Sequence, residues 1–182
     1  SAMRKLGHCV LHPLTGRYMP GGFMTIKNLS DAIALQAEIN VFLAKEGIKD
    51  LVGDYGELLV YKALGGTREN AVNQGFDISH LKYGRIEVKT RKYELLETGK
   101  VRKENRAVGF KGKESGFDWL AHVILDTNFK VVSACLAPYN EVWPEVQRTK
   151  DKIGYSTSSK LPSSIDITNE VRTAQSVLGF GI

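Results

Sequence analysis

The spacing of apolar residues changes several times along the chain, and each change marks a different element. Through residues 4–28, Pro13, Gly16, Pro20, Gly21 and Gly22 interrupt every apolar run, so nothing more than an arm or small hairpin is predicted there. From 31 to 46 the spacing becomes helical. Ile33, Ala37, Val41 and Ala44 share a face that Leu35, Ile39, Phe42 and Leu43 widen. Ser30 is the predicted N-cap, Asp31 suits the positive end of the helix dipole, and Gly47 ends the helix. A second helix is predicted over 50–64, with Leu51, Tyr55, Leu58, Leu59 and Leu64 on its buried side and Gly65-Gly66 after it. Gly53 and Gly56 inside it cost about 1 kcal/mol each relative to alanine, which is tolerated where a backbone approaches another element closely.

The period then shortens to two. Gly75-Phe76-Asp77-Ile78 reads as a short strand and Lys82-Tyr83-Gly84 as a turn. A strand over 85–91 puts Ile86, Val88 and Thr90 on one face and Arg85, Glu87, Lys89 and Arg91 on the other. Residues 94–116 are polar, basic and glycine-containing, and are read as a long loop or extended hairpin. The apolar run 119–125 predicts a buried strand, Asp126-Thr127-Asn128 a turn, and 130–136 its hairpin partner. Pro138 closes that strand. A short helix follows over 140–148 despite Pro144, then a loop-like stretch over 154–166 and a last helix over 168–178. This order predicts an α/β (α+β) fold with a central mixed sheet flanked by helices. An N-terminal arm and helix, 1–48, would precede a main domain, 49–182.

Composition narrows the class. With 182 residues, 42% hydrophobic and 25% charged, the chain fits an ordinary globular protein with a real core. No apolar run is long enough to span a bilayer and no secretory leader is visible, so a cytoplasmic location is the expectation. Ser1-Ala2 ahead of Met3 reads as a tag remnant. Cys9 and Cys135 are too far apart in sequence to suggest a disulfide framework. His8, Cys9 and His12 lack the second pair of ligands that a structural zinc site needs. Charge is unevenly spread. Residues 82–113 hold eleven Lys/Arg against four Glu, net +7, so the rest of this +5 chain is net −2. A basic segment of this kind suits a polyanion.

The candidate chemistry lies where that segment begins. Glu87 and Lys89 are two apart on a predicted strand and project from the same face. If the strand near Asp77 pairs with it, two carboxylates and an ammonium meet. Carboxylates alone would repel, and a divalent cation removes that conflict. Asp77, Glu87 and the Val88 carbonyl suit Mg²⁺ or Mn²⁺, with water completing the shell. Glu57, on the preceding helix, is placed to bind metal directly or through water. The metal would activate a water for phosphodiester hydrolysis, and Lys89 would orient that water or stabilise the transition-state charge.

Asp77, nine intervening residues, then Glu87-Val88-Lys89, preceded by the acidic helix segment Gly53-Asp54-Tyr55-Gly56-Glu57, resembles the PD-(D/E)XK nuclease superfamily over residues 50–137. Phe76 stands at the name-giving proline position. The resemblance implies a restriction endonuclease-like αβββα-type core and Mg²⁺-dependent hydrolysis of DNA, with Glu57, Asp77, Glu87 and Lys89 catalytic. Arg91, Lys92, Lys100, Arg102, Lys103, Arg106, Lys111 and Lys113 are the candidate DNA contacts, double-stranded DNA being the first choice. Cutting two antiparallel strands suits a two-fold homodimer, for which the 31–46 helix is a candidate surface. The competing reading is a catalytically silent nucleic-acid-binding module on the same fold. A sugar- or nucleotide-processing enzyme would want a glycine-rich phosphate loop after a strand, whereas Gly65-Gly66 follows a helix.

Overall fold

The computed structural model describes residues 26–45, 47–69, 75–103, 106–110, 116–148, 154–156 and 161–179, with backbone only for 106, 108 and 154–156. The chain divides into two compact units, Ser1–Gly47 and Ile48–Ile182.

The first unit holds helix α1, Leu29–Lys45, none of whose residues is buried. Its N-terminus begins earlier than expected. Asn28 Oδ1, not Ser30, takes the Asp31 amide at 2.9 Å, and Asp31 Oδ2 returns a bond from the Lys27 amide at 3.0 Å. The cap therefore lies two residues upstream, where the Asn28 side chain satisfies one orphan amide of the first turn and Asp31 ties back the chain just ahead of it. Gly47 ends the helix at φ +73°, donating to Ala44 O.

The second unit starts with helix α2, Leu51–Leu64. Asp50 is its N-cap, accepting from the Val52 amide. A six-stranded mixed sheet follows. Its strands are β1 (Thr67–Arg68), β2 (Ile78–His80), β3 (Gly84–Lys92), β7 (Trp119–Leu125), β8 (Val131–Pro138) and β10 (Ile165–Asp166), in that spatial order. Neighbours are antiparallel except β3 and β7, which run parallel from Ile86↔Trp119 to Lys92↔Leu125. Parallel neighbours need a crossover. Here it contains two short pieces that the sequence suggested only as a loop or hairpin. One is the β4–β5 ribbon, Glu94–Leu95 against Val101–Arg102. The other is β6, Arg106–Val108, paired with β9, Gly154–Ser156, inside a stretch expected to be loop. Helices α3 (Tyr139–Arg148) and α4 (Thr168–Val177) complete the unit. The strand expected at 75–78 begins only at Ile78, so Asp77 stands just ahead of it.

The sheet is covered on both faces, which is why β7 is buried along nearly its whole length. On one face α2 and α4 pack Leu59, Val60 and Val171 against Ile86, Val88, Ala121, Val123 and Leu136. On the other, α3 and the segment around β6 bring Val142, Val146, Ala107 and Phe110 against Leu120, Ala137 and Phe117. Gly56 sets how closely α2 can approach the sheet. A Cβ there would lie 1.7 Å from Thr90 Oγ1, so only glycine lets the helix cross β3 at this point. Buried Gln175 ties α4 to both neighbours, accepting from the Val131 amide at 3.0 Å and donating to Tyr55 Oη at 2.8 Å.

Candidate functional site

The centre of interest follows from unequal strand lengths. β2 pairs with β3 only across Ile78↔Ile86, Ser79↔Arg85 and His80↔Gly84, while β3 continues to Lys92. Among the described residues no strand pairs with the β2-side edge of β3 beyond that point. Asp77 stands at this step. Its amide donates to Ile86 O at 2.9 Å, and its carboxylate Oδ2 accepts the Val88 amide at 2.7 Å. The N–H and C=O of one strand residue point the same way, so the Val88 carbonyl is turned toward the same edge.

Glu87 and Lys89 project from the face of β3 that the α3 layer covers. Lys89 Nζ lies 2.5 Å from Glu87 Oε1. It is 5.9 Å from the centre of the Phe110 ring and lies beneath Gly109, where an added Cβ would be 3.7 Å away. The alternation expected along this strand is present, but its polar face is not a solvent face. Glu87 is 0% exposed, as fully buried as any core residue. The reason is tertiary: β6 packs against β3, and Gly109 and Phe110 lie beside Lys89, in a segment that carries no strong apolar pattern.

Glu57 belongs to α2, immediately after the close crossing at Gly56. Its Oε2 accepts from Arg68 at 3.2 Å. Burial pushes its carboxyl above the usual range, Arg68 draws it back, and the charges of Asp54 and Glu87 add to the upward push. Glu57 therefore feels Glu87 across the edge of the sheet, with the Arg68 guanidinium as its present partner.

His122 was not anticipated as part of this neighbourhood. On β7 it is the Cα partner of Lys89 in β3 and of Cys135 in β8, so the three side chains form a row on one face. Among the described residues, neither of its buried ring nitrogens has a hydrogen-bond partner. Burial, and secondarily Arg91, pulls its pKa down to about 4, so it is neutral at pH 7. A sequence signal existed: a single imidazole inside the apolar run Trp119-Leu120-Ala121-His122-Val123-Ile124-Leu125. Arg68 had no comparable signal, because its role depends on how β1 folds back beside α2.

The basic residues separate into groups. Arg91 and Lys92 line an open cleft of about 750 Å³ at the end of β3, together with Asp50, Val52 and Arg102. Lys92 is on the other face from Lys89. It donates to Tyr93 O at 3.3 Å and lies 5.1 Å over the Phe129 ring, away from Lys89. The period-two geometry requires this, since odd and even positions of a strand diverge. Lys100, Arg102 and Lys103 are exposed on or beside the β4–β5 ribbon. Arg106 is in β6, where only its backbone is described, and Lys111 and Lys113 lie outside the described residues.

Among the described residues, no three side chains of His, Cys, Asp or Glu are grouped to hold a metal ion between them. An all-protein cage of the zinc or calcium kind therefore has no basis in these residues. The donor set at the β3 edge suits a more hydrated ion. Mg²⁺ keeps several waters and needs only one or two carboxylates, and Asp77 and Glu87 with the Val88 carbonyl are hard oxygen donors of that kind. In comparisons with known proteins, no family model and no curated protein matches the chain.

Proposed function

We propose that the chain is a metal-dependent endodeoxyribonuclease of the PD-(D/E)XK, restriction endonuclease-like type. One observation carries the reading: the Asp77 carboxylate is docked on the Val88 amide, beside the Glu87–Lys89 ion pair, at a step where β3 outruns its neighbour. Asp77, Glu87 and the Val88 carbonyl would hold Mg²⁺ or Mn²⁺, with Glu57 contributing through water. The bound ion would polarise the scissile phosphate and make a coordinated water a stronger acid.

The chain's own groups supply the rest. The Asp77–Val88 hydrogen bond fixes the carboxylate's direction. Lys89 holds a positive charge against Glu87, beneath Phe110, ready to offset charge that grows on a phosphoryl oxygen. The Gly109-Phe110 cover keeps water from that side of the ammonium, which strengthens its field.

The test is nicking of supercoiled plasmid with Mg²⁺, against the same reaction in EDTA. Cleavage is expected only with metal. Glu87→Ala is expected to lower the rate by at least about 100-fold, the scale for losing one preorganised charge-stabilising group, while DNA binding persists. Undiminished cleavage by that variant would remove Glu87 from the site.

The complete burial of Glu87 and its contact with Lys89 favour a second reading, a catalytically silent DNA-binding module. Binding without nicking in either Mg²⁺ or Mn²⁺ would select it.

A further inference from the structure

The β4–β5 ribbon is hard to explain as scaffold. It forms a two-stranded sheet separate from the six-stranded one. A ribbon this short is marginal in water without a surface to pack on. Leu95 and Val101 are Cα partners, so their side chains share one face, yet they are 63% and 46% exposed. On the other face Glu94 takes an ion pair from Arg102, which fixes the register. Hydrogen bonds from the Leu96 amide to Lys100 O and from the Gly99 amide to Leu96 O close the tip. The ribbon is thus a defined object that presents an apolar pair to solvent.

Its charge indicates the kind of partner. From 91 to 103 the chain carries Arg91, Lys92, Lys100, Arg102 and Lys103 against Glu94 and Glu97, a net of +3. Arg91, Lys92 and Arg102 also line the cleft at its base, which opens between the ribbon and the start of α2. An exposed aliphatic pair set among cations is complementary to a polyanion with apolar groups displayed between its charges. The major groove of B-form DNA has that character. It admits a two-stranded ribbon, is bordered by phosphates, and displays the thymine 5-methyl group. Duplex RNA lacks that methyl, and its major groove is too narrow and deep for side chains to read.

We propose that the Glu94–Arg102 ribbon enters the major groove of duplex DNA, with Leu95 and Val101 against thymine methyl groups and Lys100 and Lys103 at the bordering phosphates. This rests on the nuclease reading for its substrate, and gives that substrate a recognition element separate from the reacting centre. Selectivity at A·T pairs then comes from methyl contacts, and the base of the ribbon guides a phosphate strand along the cleft toward β3.

Fluorescence anisotropy with the full chain in EDTA tests this without cleavage. The probes are an alternating A·T duplex, the same duplex with deoxyuridine for thymidine, and an RNA duplex of equal length. Each lost methyl contact is expected to weaken binding about fourfold, at the free energy of one buried methylene. The wild type should therefore bind the thymidine duplex several-fold more tightly than the deoxyuridine duplex, and the RNA more weakly still. Leu95→Ser/Val101→Ser alters only exposed side chains. It should erase the thymidine–deoxyuridine difference while leaving the unfolding midpoint unchanged.

Equal wild-type affinity for the two DNA duplexes would overturn the proposal, as would RNA binding as tight as DNA binding. It also fails if the double variant keeps the full preference. In each of those cases, metal-dependent nicking that depends on Glu87 leaves the nuclease reading standing. If the wild type neither nicks nor binds any duplex, the nuclease reading falls and the ribbon proposal falls with it.

Discussion

The two faces of β3 make a useful contrast. Ile86 and Val88 enter an apolar core beneath α2 and α4, where every neighbour repays burial in the same way. One residue along, Glu87 and Lys89 enter the layer beneath α3 and Phe110, with His122 beside them on β7. Burial is nearly as complete there, but the groups buried are ones that water would hold more favourably. The first face stabilises the fold. The second pairs the Glu87 and Lys89 charges but leaves the His122 ring nitrogens without a hydrogen-bond partner among the described residues, so it costs the fold stability.

The strongest way to break the contrast is to unmatch the charged pair. Lys89→Met leaves Glu87 buried without its ammonium and should cost about 4 kcal/mol in urea unfolding. Glu87→Leu/Lys89→Met should recover most of that loss. A neutral effect of the single change would mean that the pair is not what keeps Glu87 buried. On the apolar face, Leu59→Ala should cost about 3 kcal/mol from lost transfer energy and the cavity left behind. Nicking per folded molecule should be unaffected, which sharpens the division of labour.

His122 supplies a measurement of similar size that shows its effect through pH. Its folded pKa is about 4 against an ordinary 6.5. As pH falls through 6.5 the unfolded chain takes up a proton that the folded chain refuses, so stability drains away until the folded form also protonates near pH 4. The loss across that window is about 3 kcal/mol. His122→Phe should flatten that part of the stability profile, and a profile identical to wild type would show the imidazole reachable by protons in the folded state.

What could be read in the sequence was what local pattern encodes. The apolar run 119–125 coincides with β7, and the helical spacing expected over 50–64 with α2, which starts one residue later because Asp50 is its cap. The pairing that brings Asp77 beside Glu87-Val88 was legible too, because a short turn joins the two strands. Pairings formed across long separations were not. Ala107 meets Tyr155 through β6 and β9, and that ladder turns the expected polar side of β3 into an interior. Arg68 reaches Glu57 for the same kind of reason, and Lys92 departs from Lys89 because strand parity outweighs proximity in sequence.

The step between β2 and β3 has a consequence for how such a centre arises or disappears. A ladder that stops early exposes amides and carbonyls that normally invite another strand to zip on. Here the carboxylate of Asp77 takes the first of those positions, acting as a stopper in the seam. Extending β2 toward its N-terminus by a pair of residues would let the backbone claim the Val88 amide and carbonyl, healing the sheet and erasing the niche with every acidic side chain still present. The niche at this spot is thus a matter of how many rungs are left unbuilt.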